Sequence, residues 1–106
     1  MSVQTVISDL VTKVNANPEG IKNMNSTFQL DLTSGTYQVR FVDGKAEYIE
    51  GNEWDASCTM IMSDENFVKL VEGNLNPTTA FMMGKIKLQG ELGQALKLQS
   101  VLKNYA

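Results

Sequence analysis

The sequence contains no histidine. Histidine-based catalytic triads, histidine-containing zinc sets and imidazole acid–base chemistry are excluded together. One cysteine, Cys58, leaves no intramolecular disulfide and no cysteine-rich metal site, and points to a reducing compartment. Positive charge is also short. Nine Lys and Arg against twelve Asp and Glu give a formal net charge of −3, the wrong balance for neutralising nucleic-acid phosphates. No run approaches the roughly 18 apolar residues of a membrane span. Met1-Ser2-Val3-Gln4-Thr5 lacks a basic patch, and Asp9 and Lys13 interrupt the apolar positions that follow, so no export signal is read there. Lys103-Asn104-Tyr105-Ala106 is neither a prenylation box nor a peroxisomal tripeptide. The expectation is a soluble cytoplasmic protein, with peroxisomal residence disfavoured. Asn25-Ser26-Thr27 fits a glycosylation sequon, which in that setting is read as chance.

What is present suits one folded domain over residues 1–106. Hydrophobic residues make up 42% and charged residues 20%, near globular averages, and the length allows a real core without staples. Val3, Val6, Ile7, Leu10, Val11 and Val14 recur at helical spacing, with Ser2 available as a cap. Asn17-Pro18-Glu19-Gly20 breaks that helix, and Ile21 to Asn25 reads as a turn or helical fragment. The period then becomes two. Phe28, Leu30 and Leu32, then Tyr37, Val39 and Phe41, alternate with polar residues, Gln38 and Arg40 among them. Ser34-Gly35 and Asp43-Gly44 supply hairpin turns, the second leading into Lys45 to Glu50. This predicts an antiparallel meander with one solvated face. A fourth strand, Ser57 to Ser63, places Cys58, Met60 and Met62 on one side. Ser63-Asp64-Glu65 caps a helix with Phe67, Leu70 and Val71 inward, and Gly73 ends it. Asn76 and Pro77 open a short helix carrying Phe81 and Met82, which Gly84 stops. Lys85 to Gln89 reads as a fifth strand with Ile86 and Leu88 inward, and Glu91 to about Asn104 as the last helix. Strands and helices are segregated, which defines an α+β fold.

Charge is unevenly spread. Asp43 through Glu72 holds eight acids against Lys45 and Lys69, while Gly73 through Ala106 holds Lys85, Lys87, Lys97 and Lys103 against Glu91. A solvated surface of fluctuating composition is one reading; a basic surface that meets an anionic head group or membrane face is the other.

The search for catalytic groups fails. Gly84-Lys85 resembles the end of a phosphate loop, but no glycine lies five residues earlier and Ile86 replaces the required hydroxyl. Gly90-Glu91-Leu92-Gly93 has the spacing of an RNA-clamping loop, yet its glutamate would face phosphate. Asp64-Glu65 reads as capping rather than acid–base chemistry, and Cys58 as a buried thiol. No catalytic residue, cofactor or metal site is expected.

The last third is more informative. On a helical wheel at about 100° per residue, Leu92, Ala95, Leu96, Leu98, Val101, Leu102 and Tyr105 spread over roughly 220°, about twice what packing on a sheet needs. Part of this helix must therefore face the first helix, a partner chain, a membrane or a bound apolar ligand. Met60, Met62, Met82 and Met83 fall in regions that would face it, where thioethers either fill an awkward core or tolerate ligands of variable shape.

Three segments carry a resemblance: Met62-Ser63-Asp64-Glu65-Asn66-Phe67; the stretch from Gly73 through Asn76-Pro77-Thr78-Thr79-Ala80-Phe81-Met82-Met83-Gly84-Lys85-Ile86-Lys87-Leu88-Gln89-Gly90; and Ala95-Leu96-Lys97-Leu98-Gln99. They resemble the sterol carrier protein-2 family, and are similar also to the C-terminal domain of peroxisomal multifunctional enzymes. The resemblance implies a five-stranded, mixed and mostly antiparallel sheet, covered on one face by helices, with an apolar tunnel between the layers. It implies low-selectivity binding of fatty acids, fatty acyl-CoA, sterols or phospholipids, and lipid transfer between membranes. On that basis Met60, Met62, Phe67, Phe81, Met82, Leu88, Leu92, Leu96 and Leu102 would line the tunnel. Gln99, which matches the family's glutamine, would hydrogen-bond a ligand's polar end or a backbone group. Lys85 and Lys87 would meet a carboxylate or CoA phosphate at the mouth. The expected protein is a non-catalytic carrier, monomeric or weakly dimeric, with a lipid or acyl-CoA ligand, transient membrane contact and no nucleic-acid partner. The alternatives are an interaction or dimerisation module and an accessory subunit that presents substrate to a lipid-metabolising enzyme.

Overall fold

Apolar residues three and four apart begin the chain as a helix, α1 (Val3–Ala16), whose N-terminus is closed by the Ser2 hydroxyl accepting the Thr5 N–H at 3.2 Å. Residues 2–105 are described in this computed structural model. A 3-10 turn, Pro18–Ile21, follows; Pro18 starts it earlier than the predicted fragment because its fixed φ favours the first helical position. The meander is β1 (Asn25–Leu32), β2 (Gly35–Val42) and β3 (Lys45–Glu50). Its first turn falls on Thr33-Ser34, one residue before the predicted Ser34-Gly35. Its second has both Asp43 and Gly44 at positive φ, as a two-residue hairpin with right-handed strands requires.

After an irregular crossover come β4 (Cys58–Ile61), α2 (Asp64–Val71), α3 (Pro77–Met82), β5 (Lys87–Gly90) and α4 (Leu92–Asn104). The sheet is mixed and open, in the order β3-β2-β1-β4-β5, with only β1 and β4 parallel. Both short strands are narrower than predicted. β5 begins two residues late because the Lys85 N–H donates to Ala80 C=O (2.8 Å), holding Lys85 in the turn that closes α3.

Register decides which residues share a face. Phe28 pairs with Val39 and Cys58, and Leu30 with Tyr37 and Met60; Met60 in turn pairs with Leu88. These inward residues meet α1, α2 and the second half of α4, where Ile7, Leu10, Val14, Phe67, Leu70, Leu98, Val101 and Leu102 are buried. Phe28 and Phe41 meet edge to face, with ring centroids 6.1 Å apart.

The outer face departs from the expectation of a uniformly solvated surface. Gln38 is 0% exposed. The crossover lies over it: its side-chain amide donates to Trp54 C=O (2.8 Å) and to Gln29 Oε1 (3.1 Å), and its Oε1 accepts the Trp54 N–H (2.9 Å). With both its oxygen and its nitrogen bonded, the buried amide carries no desolvation penalty of the kind an orphan would. Beside it Arg40 lies 3.9 Å from the Trp54 ring centroid and pairs with Glu47.

Candidate functional site

The site is built by the elements beyond β4. Asn76 Oδ1 accepts the Thr79 N–H at 3.1 Å and Pro77 occupies the first helical position, so α3 forms although it is only six residues long. Gly84, at φ +77, turns the chain back toward β5. Gly90 brings β5 so close to β4 that a Cβ there would stand 2.7 Å from Ser57 C=O. α4 then crosses back over the sheet and is tied at both ends. Ser26 Oγ donates to Gln94 Oε1 at 2.6 Å; the Tyr105 hydroxyl donates to Asn17 C=O and accepts the Gly20 N–H at 3.0 Å.

Between α3, β5, β4 and the first half of α4 lies a cavity of about 280 Å³, lined by Met60, Pro77, Thr78, Phe81, Met82, Ile86, Leu88, Leu92, Ala95, Leu96 and Gln99. No ionisable side chain lines it. Its polar side chains are Thr78 and Gln99, and the half-buried Gln99 amide makes no hydrogen bond to the protein among the described residues. Four of its walls remain open to water: Phe81 is 47% exposed, Met82 81%, Leu92 56% and Leu96 52%. Such a space can exclude water from a hydrocarbon surface. None of its lining side chains is a carboxylate, an amine, an imidazole or a thiol.

The wide apolar arc of α4 resolves into two stripes. Leu92, Ala95, Leu96 and Gln99, at i, i+3, i+4 and i+7, face the cavity, while Leu98, Val101 and Leu102 face the core. This separates the residues expected at the site. Met60, Phe81, Met82, Leu88, Leu92, Leu96 and Gln99 come together. Phe67 and Leu102 do not; with Leu30 and Leu98 they line a separate void of about 10 Å³ beneath α1 and α2. Met62 is buried beyond the end of β4 and lines neither space. The inter-layer space is thus filled beneath the middle of α1 and α2 and open at the α3–β5–α4 end, while a more polar groove of about 550 Å³ runs between the start of α1 and α2 past Ser34 and Tyr37. Lys87 alternates with Leu88 and so lies on the opposite sheet face, and Lys85 is exposed in the turn before β5. Neither lines the cavity.

Pro77, Thr78, Ile86 and Ala95 join the lining from outside the predicted set. Ile86 and Ala95 were legible as inward or apolar-arc positions, whereas Pro77 and Thr78 carry only a capping signal in the sequence. Cys58 lies two residues from Met60 but outside the cavity; it is 1% exposed, and burial pushes its thiol pKa up, away from a reactive thiolate. Among the described residues no group of side chains has the makings of a metal site, and no helix is long and apolar enough to cross a membrane.

An open five-stranded sheet, helices on one face and an apolar cavity without ionisable walls define a small α+β binding domain. Residues 7–103 match the model of the SCP-2 sterol transfer family, and the chain belongs to that family. It is 32% identical over 87 residues to human sterol carrier protein 2, covering 76% of this chain and 16% of the human protein. Against mouse peroxisomal multifunctional enzyme type 2 it is 34% identical over 94 residues, covering 83% of this chain and 13% of the enzyme. The chain therefore spans about a sixth or less of the length of these curated relatives, and some members of the family are domains within enzymes. Among solved structures, sterol carrier protein domain 2 of Helicoverpa armigera superposes with a TM-score of 0.82 at 27% identity, over 98% of this chain and 87% of that one. Palmitated SCP2L2 of Aedes aegypti superposes with a TM-score of 0.75 at 28% identity, over 96% and 95%.

Proposed function

We propose that this chain is a non-catalytic lipid carrier that holds one apolar chain or ring system in the α3–β5–α4 cavity. The observation that carries this reading is the cavity itself: 280 Å³ of hydrocarbon-lined space, near the lower end of small-molecule sites, with large apolar side chains left open at its mouth. The Aedes aegypti relative of the same fold is described as palmitated, which supports an acyl chain as occupant. Fatty acids, acyl-CoA, sterols and phospholipids all present the apolar surface that these walls accept. Without an ionisable group to read a head group, selectivity is low, and Gln99 is the one inner side chain placed to hydrogen-bond a polar end.

Affinity then comes from apolar burial, about 0.8 kcal/mol for each methylene taken from water. Across a series of saturated fatty acids displacing a fluorescent analogue, affinity is expected to rise about fourfold per methylene until the cavity is full. Leu96→Trp fills the cavity from a half-exposed position and is expected to abolish displacement while the circular dichroism spectrum stays that of the folded protein. Wild-type protein that binds no acyl chain, or a Leu96→Trp variant that binds as well as wild type, would overturn the reading.

A further inference from the structure

We propose that Met82 is an oxidation site on which the ligand itself acts: a fatty acyl hydroperoxide held in the cavity is reduced to the alcohol as the Met82 thioether becomes its sulfoxide. This deepens the carrier reading and rests on it. With carboxylates, amines, imidazoles and thiols absent from the lining, the softest nucleophiles there are the thioether sulfurs of Met60 and Met82. They are not equivalent. Met60, paired with Leu30 and Leu88 in the sheet, is 3% exposed, whereas Met82 borders the space from α3 and is 81% exposed. Exposure alone does not single Met82 out, because Met83 beside it is 65% exposed. The cavity does: Met82 lines it and Met83 does not. An oxidant dissolved in water meets both residues, but one seated in the cavity is held against Met82. Cys58, the one thiol of the sequence, is buried outside the cavity and does not compete.

The step balances without a further reagent. The sulfur lone pair attacks the terminal oxygen of the hydroperoxide, the O–O bond breaks, and its electron pair leaves with the fatty alkoxide. The hydroxysulfonium formed at sulfur then gives its proton to that alkoxide. Sulfur is oxidised and the peroxide reduced by the same electron pair, leaving one sulfoxide and one hydroxy fatty acyl chain. The two polar side chains of the lining suit this chemistry. Thr78 stands one turn before Met82, at i and i+4 of α3, so its hydroxyl shares the helix face of the thioether and is placed to donate to the developing alkoxide. The Gln99 amide, without a protein partner among the described residues, borders the same space. Once formed, the sulfoxide sets a polar group in an apolar wall, which weakens the hold on the chain and releases the product.

The test uses the hydroperoxide of linoleic acid, beside hydrogen peroxide as an oxidant that has no need of the cavity. Peptide mass mapping follows oxygen addition at each methionine, and chromatography follows the hydroxy acid. Hydrogen peroxide is expected to oxidise Met82 and Met83 to similar extents. The fatty hydroperoxide is expected to favour Met82 over Met83 by about tenfold or more, with one hydroxy acid formed per sulfoxide. Excess palmitic acid is expected to protect Met82 from it. At saturating hydroperoxide, Met83→Leu is expected to yield as much hydroxy acid as wild type, and Met82→Leu none above background. Protein oxidised at Met82 is expected to bind a fluorescent fatty acid about tenfold more weakly. A hydroperoxide that displaces the fluorescent fatty acid, yet oxidises Met82 and Met83 alike or neither, overturns the inference and leaves the carrier reading standing. Oxidation led by Met60, or undiminished hydroxy acid from Met82→Leu, also overturns it, and unchanged affinity of the sulfoxide form overturns the release. Wild-type protein that binds neither the fatty acid nor its hydroperoxide instead removes the carrier reading.

Discussion

The same two-layer plan is executed twice in this molecule with opposite results. Under α1 and α2 the sheet face formed by Phe28, Leu30, Val39 and Phe41 is met by Ile7, Leu10, Phe67 and Leu70, all buried, and the residual space is about 10 Å³. Under α3 and the first half of α4, equally apolar residues are left 47% to 81% exposed around a space of about 280 Å³. Composition does not separate the halves, since Phe, Leu and Met occur in both. The difference lies in the covering elements. α1 has fourteen residues and five buried apolar ones, whereas α3 has six and buries only Ala80. Too short to lay a full stripe on the sheet, α3 props the layers apart. β4 is the seam, with Cys58 and Met60 between the closed half at β1 and the open half at β5.

The sharpest way to break this comparison is to remove one phenylalanine from each half. Phe28→Ala empties a fully buried site and is expected to cost about 3–5 kcal/mol, a large part of a small domain's stability. Phe81→Ala is expected to change the unfolding free energy measured by chemical denaturation by well under about 1 kcal/mol while weakening acyl-chain binding. Equal losses of stability would make Phe81 a core residue and erase the distinction.

A smaller effect tests the seam. Gly90→Ala puts a methyl group against Ser57 C=O at a φ of +100, and is expected to destabilise by about 1–3 kcal/mol in chemical denaturation. Gly93→Ala, with open space around it in the first turns of α4, is expected to stabilise by about 0.5–1 kcal/mol. The same sign for both would mean that β4 and β5 are not held as closely as the geometry shows.

Smallest is the pH dependence from Cys58. Burial raises the thiol pKa in the folded state, so the unfolded chain is the first to release the proton as pH rises. The contribution is present in full below the unfolded thiol value of about 8.5 and is lost as pH rises through the higher folded one. Thermal scans from neutral pH upward should show a slightly steeper loss in wild type than in Cys58→Ala. Identical slopes would mean that the thiol is accessible to water at the seam.

Local order was legible in the residues. The Ser2, Ser63 and Asn76 caps, the Asp43-Gly44 hairpin and the period-two alternation of β1 and β2 follow from short-range sterics and hydrogen bonding, which neighbours in sequence decide. The width of the α4 arc, too, announced two environments. What could not be read was which stripe faces which. Leu102 and Leu96 carry the same side chain on the same helix, and only the register of β1 against β4, with Met60 beside Leu30, places one over core and the other over cavity. Lys87 and Gln38 teach the same lesson. Strand alternation puts each on the outer face, but whether that face is solvent or a roofed interior depends on distant chain: the crossover bearing Trp54 buries Gln38, while Lys87 stays exposed on the sheet face opposite the cavity. The sequence by itself determined the elements, their caps and an excess of apolar surface, because those are properties of a few adjacent residues. Tertiary structure alone decided where that surplus stays open, because a cavity exists only in the distance between elements that are remote along the chain.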